Sequence, residues 1–330
     1  MHYRAPAWLP GGHLQTIYPA TCIPRAPVAY RRERWTSSDG DFVDVDFVDG
    51  QPGKPLVVLF HGLEGSSASH YARSLMAALQ SRGWSGAVPH FRGCSGEPNL
   101  TPRFYHSGDA LEVDWIVRKL HARMQGDSGP LFAAGVSLGG NALLRWLGES
   151  GQAAGIVKAA CAVSAPLDLA QGGKALGSGF NRLYTRMFLQ TLKPKCLAKL
   201  ERYPGLFDRR ALLEARDLYA FDNVVTAPLH GYRDTDDYWH RASARHVLHD
   251  ITVPTLVLNA RNDPFLPGQH LPTGASSMVR LEYPDEGGHV GFSTGPFPGR
   301  SNWLPQKILH FFDGLAPNCA TRAHELCEAP

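Results

Sequence analysis

Leu131-Phe132-Ala133-Ala134-Gly135-Val136-Ser137-Leu138-Gly139 decides how this chain folds. Leu131–Val136 is a short apolar run, the pattern of a strand buried on both faces. Leu138–Leu147 follows as an amphipathic helix. Between them stands Ser137, in a G-x-S-x-G pattern. A nucleophile on a sharp strand-to-helix turn takes strained dihedrals, and its neighbours approach closely, so glycine is needed on both sides. In a chain with 34 glycines the pattern alone is weak. The strand before it and the helix after it are the context that makes Ser137 a candidate nucleophile.

The same rhythm extends outward. Leu56–Phe60 is another continuous apolar run, followed by a helix at about Ala68–Arg82 that Gly83 ends. Gly86–Phe91 is the next strand. A helix over Gly108–Met124 follows, with apolar Leu111, Trp115, Val117 and Leu120, and Val157–Ser164 is a further strand. Alternating strands and helices imply an α/β fold, a mostly parallel sheet with helices on both faces. Upstream, strands at Arg31–Thr36 and Phe42–Val48 join at Ser38-Asp39-Gly40; the second alternates poorly and is expected at a sheet edge. Residues 1–29, rich in proline and aromatics, are expected to be an irregular arm.

The rhythm breaks at Ala165-Pro166. Residues 168–250 contain helical patterns and no convincing buried strand. Phe180, Leu183, Tyr184, Met187, Phe188 and Leu192 fall at helical spacing until Pro194, which is expected to stop the helix. Leu212, Ala215 and Tyr219 mark another helix. Strands return at Thr255–Leu258 and Val279–Tyr283, with a last helix near Leu304–Phe312. The expected division is a core of residues 30–167 and 251–315, a helical cap insertion at 168–250, and a tail at 316–330. The apolar stripe of the cap is expected to pack against the core and is compatible with lining an acyl pocket.

A serine hydroxyl needs a histidine base, itself oriented by an acid. Asp263 follows the strand Thr255–Leu258, and His289 follows Val279–Tyr283. Both therefore belong to the sheet edge where Ser137 lies. Asp285 is a poorer acid, four residues before His289, and His270 precedes the last strand. Acyl transfer also needs donors for a developing oxyanion. The backbone N–H of Leu138 supplies one. The second is assigned to Leu63, in His61-Gly62-Leu63-Glu64-Gly65, where His61 is read as a loop-shaping hydrogen bonder and the two glycines let the backbone turn inward.

The 330 residues allow one large domain with an insertion, and a net charge of +3 gives no argument for nucleic acid. No stretch is apolar for the roughly 18 residues of a membrane span. Met1–Pro10 lacks the apolar core of a signal peptide, so the cytoplasm is expected. Cys22, Cys94, Cys161, Cys196, Cys319 and Cys327 are scattered, without C-x-x-C or zinc-ligand spacing, and are expected to be reduced and mostly buried. No base can be assigned to Cys94.

His61-Gly62-Leu63-Glu64-Gly65-Ser66, Phe91-Arg92-Gly93-Cys94-Ser95-Gly96-Glu97, Gly135-Val136-Ser137-Leu138-Gly139-Gly140-Asn141 and Gly288-His289-Val290-Gly291-Phe292 together resemble the YheT-like branch of the α/β-hydrolases. His13-Leu14-Gln15-Thr16 resembles that family's opening segment. The likeness spans about residues 10 to 315. It implies an α/β-hydrolase fold, a triad falling on Ser137, Asp263 and His289, and carboxylic-ester chemistry. Hydrolysis of short- to medium-chain esters through an acyl-enzyme is expected, without metal or organic cofactor, by a monomer acting on a small ester or lipid. The same triad would serve an alcohol O-acyltransferase. It would equally serve a membrane-surface lipase touching anionic lipid weakly through the basic cap. A non-catalytic binding protein is disfavoured, since such proteins usually lose a triad residue.

Overall fold

The structure, a computed structural model, describes residues 1–126 and 128–315; the tail expected at 316–330 lies outside them. Among the described residues eight strands form one sheet: β1 (Arg31–Thr36), β2 (Phe42–Val48), β3 (Leu56–Phe60), β4 (Ser85–Pro89), β5 (Leu131–Val136), β6 (Ala159–Val163), β7 (Thr255–Leu258) and β8 (Val279–Glu282). Their spatial order is β1-β2-β4-β3-β5-β6-β7-β8. β1–β2 and β2–β4 are antiparallel, and every other pair is parallel. β3, β5, β6 and β7 are buried along their whole length. Their side chains alternate between two cores. Val58 and Phe60 pack with α3 (Ala110–Arg123) and α4 (Leu138–Ser150) on one face, while Val57 and Leu59 pack with α2 (His70–Ser81) and α11 (Trp303–Asp313) on the other. These continuous apolar runs are what a sheet covered on both faces requires.

Three local expectations in the sequence before β5 need correction. β2 is not an edge strand: β1 holds the edge and all seven residues of β2 are buried. Its aspartates are accommodated by register. Arg34 lies opposite Asp44 and Arg32 opposite Asp46, with Nε–Oδ1 distances of 2.8 and 2.7 Å. Cross-strand ion pairing of this kind compensates the cost of burying the charge. On α3 the buried stripe is Val113, Ile116, Val117 and Leu120, whereas Leu111 is 79% exposed. Residues 1–29 are not irregular throughout, because Gly12–Thr21 forms helix α1.

Between β6 and β7 come α5 (Leu169–Leu176), α6 (Arg182–Arg202), α7 (Arg209–Glu214), α8 (Leu218–Val224), α9 (Thr226–Leu229) and α10 (Thr235–Ala242). Four begin with an aspartate whose carboxylate accepts a backbone N–H three residues on: Asp168, Asp208, Asp217 and Asp234. Pro194 does not stop α6, which continues to Arg202. Tertiary packing outweighs the lost hydrogen bond. Leu189 before the proline and Cys196 after it share a small core with Leu212, Phe221 and Val225. Lys195 and Lys199 tie the second half to the sheet domain. The apolar stripe also divides: Tyr184 and Leu189 are buried, while Phe180, Leu183 and Met187 are exposed.

Candidate active site

The sheet's strand order reverses at β3, which is flanked by β4 and β5. Loops leaving neighbouring strands diverge at such a point and open a crevice at the carboxyl edge. The turn from β5 into α4 places Ser137 there, at φ 53° and ψ −122°, a left-handed conformation that a residue with a Cβ rarely adopts. Its N–H is held by Val163 O at 2.9 Å. The glycines around it answer to close approach. A Cβ at Gly135 would lie 2.5 Å from Gly139 O, and one at Gly139 would lie 2.4 Å from both Phe60 O and His61 O.

The loops after β7 and β8 bring Asp263 and His289 to this serine. His289 Nδ1 is 2.9 Å from Asp263 Oδ2, and His289 Nε2 is 3.0 Å from Ser137 Oγ. An ionised carboxylate only accepts, so Nδ1 carries the proton and Nε2 is left as acceptor for the serine hydroxyl. Asp263 is 1% exposed. Its other oxygen accepts the Phe265 N–H at 2.8 Å, and the Phe265 ring stacks on the imidazole with centroids 4.0 Å apart. The carboxylate and the ring are thus each fixed by the segment just after Asp263. The rival residues are elsewhere engaged. Asp285 pairs with Arg261 at 3.6 Å, and His270 sits in a 3-10 turn before β8.

The loop after β3 passes over the serine: a Cβ at Gly62 would be 3.1 Å from Ser137 Cβ. Gly62 N–H donates to Tyr71 Oη at 2.9 Å and Glu64 N–H to Tyr105 Oη at 2.8 Å. Leu63 N–H, between them, has no protein acceptor among the described residues. Leu138 opens α4, where an N–H has no acceptor within the helix. The left-handed residue of the β3 loop is Glu64 (φ 56°), not a glycine. Its backbone is held by Tyr105, and its carboxylate by Tyr105 Oη at 3.0 Å and Lys195 Nζ at 2.7 Å. His61 donates through Nδ1 to Gly62 O at 2.8 Å and accepts Phe91 N–H at Nε2 at 3.0 Å. Burial pushes its pKa down to about 3, so it stays neutral and shapes the loop. Cys94 Sγ lies 3.9 Å from the Glu64 carboxylate, and burial pushes the thiol up to about 12.

Ser137, Leu138, Leu63 and His289 line one cavity of about 130 Å³, together with side chains from α5, α6, α8 and α10. Phe188, Leu192, Leu176 and Phe221 make much of it apolar. Among the described residues no group of three or more His, Cys, Asp or Glu is placed to hold a metal ion.

Two contributors escaped reading from local pattern. Gln15 of α1 uses its whole side-chain amide. Its Oε1 accepts Gly287 N–H at 2.8 Å and Asn262 Nδ2 at 2.9 Å, and its Nε2 donates to Leu9 O at 2.9 Å and Glu286 Oε1 at 3.2 Å. Thr16 Oγ1 accepts the His289 N–H at 2.9 Å. α1 therefore joins the loop of Asp263 to the loop of His289. The one signal in the sequence is the family likeness of His13-Leu14-Gln15-Thr16.

Comparison with known proteins agrees with this architecture. The α/β hydrolase fold family matches residues 55–296. The Escherichia coli (strain K12) protein named "Putative esterase YheT" is 40% identical over 90% of this chain and 88% of its own. The Mus musculus "Phospholipase ABHD3" is 28% identical over 98% of this chain and 80% of its own. Among solved structures, the Pyrococcus furiosus esterase Pf2001 superposes with a TM-score of 0.55 at 17% identity, covering 89% of this chain and 99% of that one, a likeness of fold. The chain belongs to the α/β hydrolase family, in the branch that includes YheT.

Proposed function

We propose that this protein hydrolyses carboxylic esters of short- to medium-chain acids with Ser137 as nucleophile. The observation that carries the reading is the continuous hydrogen-bond path from Ser137 Oγ through His289 to Asp263. His289 takes the serine proton as Oγ attacks the ester carbonyl, and Asp263 stabilises the imidazolium. The N–H groups of Leu63 and Leu138 receive the oxyanion. His289 returns the proton to the leaving alcohol, and an acyl-Ser137 ester remains. Water, deprotonated by His289, then attacks that ester and releases the acid. The names of the relatives, esterase and phospholipase, support ester chemistry. The apolar cavity supports an acyl chain on the substrate.

Ser137→Ala is expected to lower ester turnover by about a thousandfold or more. A fluorophosphonate should label wild type at Ser137 and leave the variant unlabelled. Wild-type-like turnover by the variant would overturn the assignment. Added ethanol separates hydrolysis from acyl transfer, which would appear as an ethyl ester among the products.

A second reading concerns where the substrate is met. Phe180, Leu183 and Met187 are exposed on α6 and the turn before it, with Arg182 and Arg186 among them. Apolar and cationic side chains on one face suit an anionic lipid surface. Among the described residues no helix is long and apolar enough to cross a membrane. Sedimentation with phosphatidylglycerol vesicles at low salt, but not with phosphatidylcholine vesicles, is the expected result.

A further inference from the structure

One carboxylate in the pocket wall has no part in the ester chemistry. Asp222, on α8, lines the cavity that holds Ser137 and His289. The other ionised side chains in that lining are matched. Glu64 pairs with Lys195 at 2.7 Å, and Arg92 pairs with Glu112, Asp39 and Asp41 at 2.5, 2.6 and 3.0 Å. Asp222 makes no ion pair among the described residues. His106, in the same lining, brings no charge either, because burial pushes its pKa down to about 3.

Asp222 is nonetheless held firmly. Its Oδ1 accepts the Thr226 hydroxyl at 2.6 Å, and its Oδ2 accepts the Trp239 indole N–H at 2.8 Å. The indole is itself pinned: a Cβ at Gly173 of α5 would fall 2.2 Å from Trp239 Cη2. An ionised carboxylate offers about four acceptor sites, so each oxygen keeps capacity for another donor. Leu218, Phe221 and Val225 in the same lining offer none. Burial pushes the Asp222 pKa up to about 6, the cost of an unmatched charge in such surroundings. An amide could also bridge the two, its oxygen accepting the Trp239 N–H and its nitrogen donating to a Thr226 hydroxyl turned to accept, so the hydrogen bonds in place do not by themselves call for a negative charge.

We propose that Asp222 forms a polar subsite for a hydroxyl or ammonium group on the ester substrate, engaged while the reacting carbonyl is at Ser137. The inference rests on Ser137 as the nucleophile. A donor entering the pocket would complete the acceptor capacity of the carboxylate. An ester without a donor would leave a desolvated charge unmatched, which is the asymmetry from which substrate discrimination arises.

The test compares matched esters. On the acyl side these are p-nitrophenyl hexanoate, 6-hydroxyhexanoate and 6-aminohexanoate; on the alcohol side, propyl butyrate and 1-monobutyrin. In wild type the donor-bearing member of at least one set should have the higher kcat/KM. Asp222→Leu should lower that preference by about 10- to 100-fold. Asp222→Asn, which keeps partners for Thr226 and Trp239, should lower it for the ammonium ester most. It also carries the test should the leucine variant fail to fold. Equal preference ratios in wild type and variants would overturn the subsite. Hydrolysis of p-nitrophenyl acetate by wild type reports the serine chemistry separately. Calorimetric binding of the same ester pairs to Ser137→Ala, with and without Asp222→Asn, reads the subsite without turnover.

Discussion

The hydroxyl of Thr16 accepts the backbone N–H of His289 at 2.9 Å, across 273 residues of sequence. The same hydroxyl donates to Gly12 O at 2.7 Å, so its orientation is set from within α1. A helix outside the sheet thereby holds the residue that faces Ser137. Thr16→Val keeps the shape and removes the acceptor, leaving a partly buried N–H without its partner at a cost of about 1 kcal/mol. Ester turnover is expected to show a fall in kcat of roughly tenfold, with KM changed by less than about threefold, since orientation and not binding is disturbed. Thr16→Ser should restore most of the activity. A variant whose kcat equals wild type would remove Thr16 from the positioning of His289.

Gly139 tests how tightly the serine turn is packed. A methyl group there meets two backbone carbonyl oxygens, of Phe60 and His61, at 2.4 Å, and neither can rotate away. Gly139→Ala is expected to lose about 3 kcal/mol or more, or to be recovered only as insoluble protein. Gly155 is the control, because a Cβ there has nothing within 4 Å and its φ is not left-handed. Gly155→Ala should unfold in urea at the same midpoint as wild type or slightly above it. Equal midpoints for both variants would contradict the packing described.

Acid should weaken the fold well above the usual carboxylate range. Burial pushes His61 and His106 down to about 3 and His70 to about 4. An unfolded imidazole takes a proton near pH 6.5, whereas these do not until far lower pH. The unfolded state therefore binds more protons in this window, and stability rises with pH across it. The contribution is complete above about pH 6.5 and is lost as pH falls toward 3. Asp222, raised to about 6 by burial, acts in the opposite sense and offsets one histidine. His106→Phe should flatten the dependence by up to about 1.4 kcal/mol per pH unit between pH 6 and 4. Urea unfolding of wild type and variant at matched pH values measures the difference. Parallel curves would show that His106 does not titrate as described.

Lys199 fastens α6 to the loop after β4. Its ammonium donates to Asn99 O at 3.0 Å, Asn99 Oδ1 at 2.8 Å and Thr101 O at 2.6 Å, and the residue is 5% exposed. Lys199→Met would fill the space and strand these acceptors, at an expected cost of about 1–3 kcal/mol. Faster proteolysis within 182–202 than in wild type should accompany it, because the second half of α6 loses its anchor. An unchanged digestion pattern would place that anchor elsewhere.

The sequence by itself determined the elements whose cause is local. Leu56–Phe60 and Leu131–Val136 are continuous apolar runs and Thr255–Leu258 a mostly apolar one, and each is a strand over those same residues. The glycines about Ser137 mark its strained turn because no other residue fits the space. Ser137, Asp263 and His289 could be named as a set from loop order alone, and the fold brings them within hydrogen-bonding distance. Tertiary structure decided whatever depends on a distant partner. Asp44 and Asp46 are acceptable inside the sheet because register puts Arg34 and Arg32 opposite. α6 passes through Pro194 because both halves are packed or anchored elsewhere. Gln15 and Thr16 matter for loops more than 240 residues away. Asp222 is a lone charge because, among the described residues, no cation pairs with it and the Lys195 of its cavity is taken by Glu64. A buried charge or an unmet N–H is tolerated or not according to what the fold places beside it, and no local periodicity carries that information.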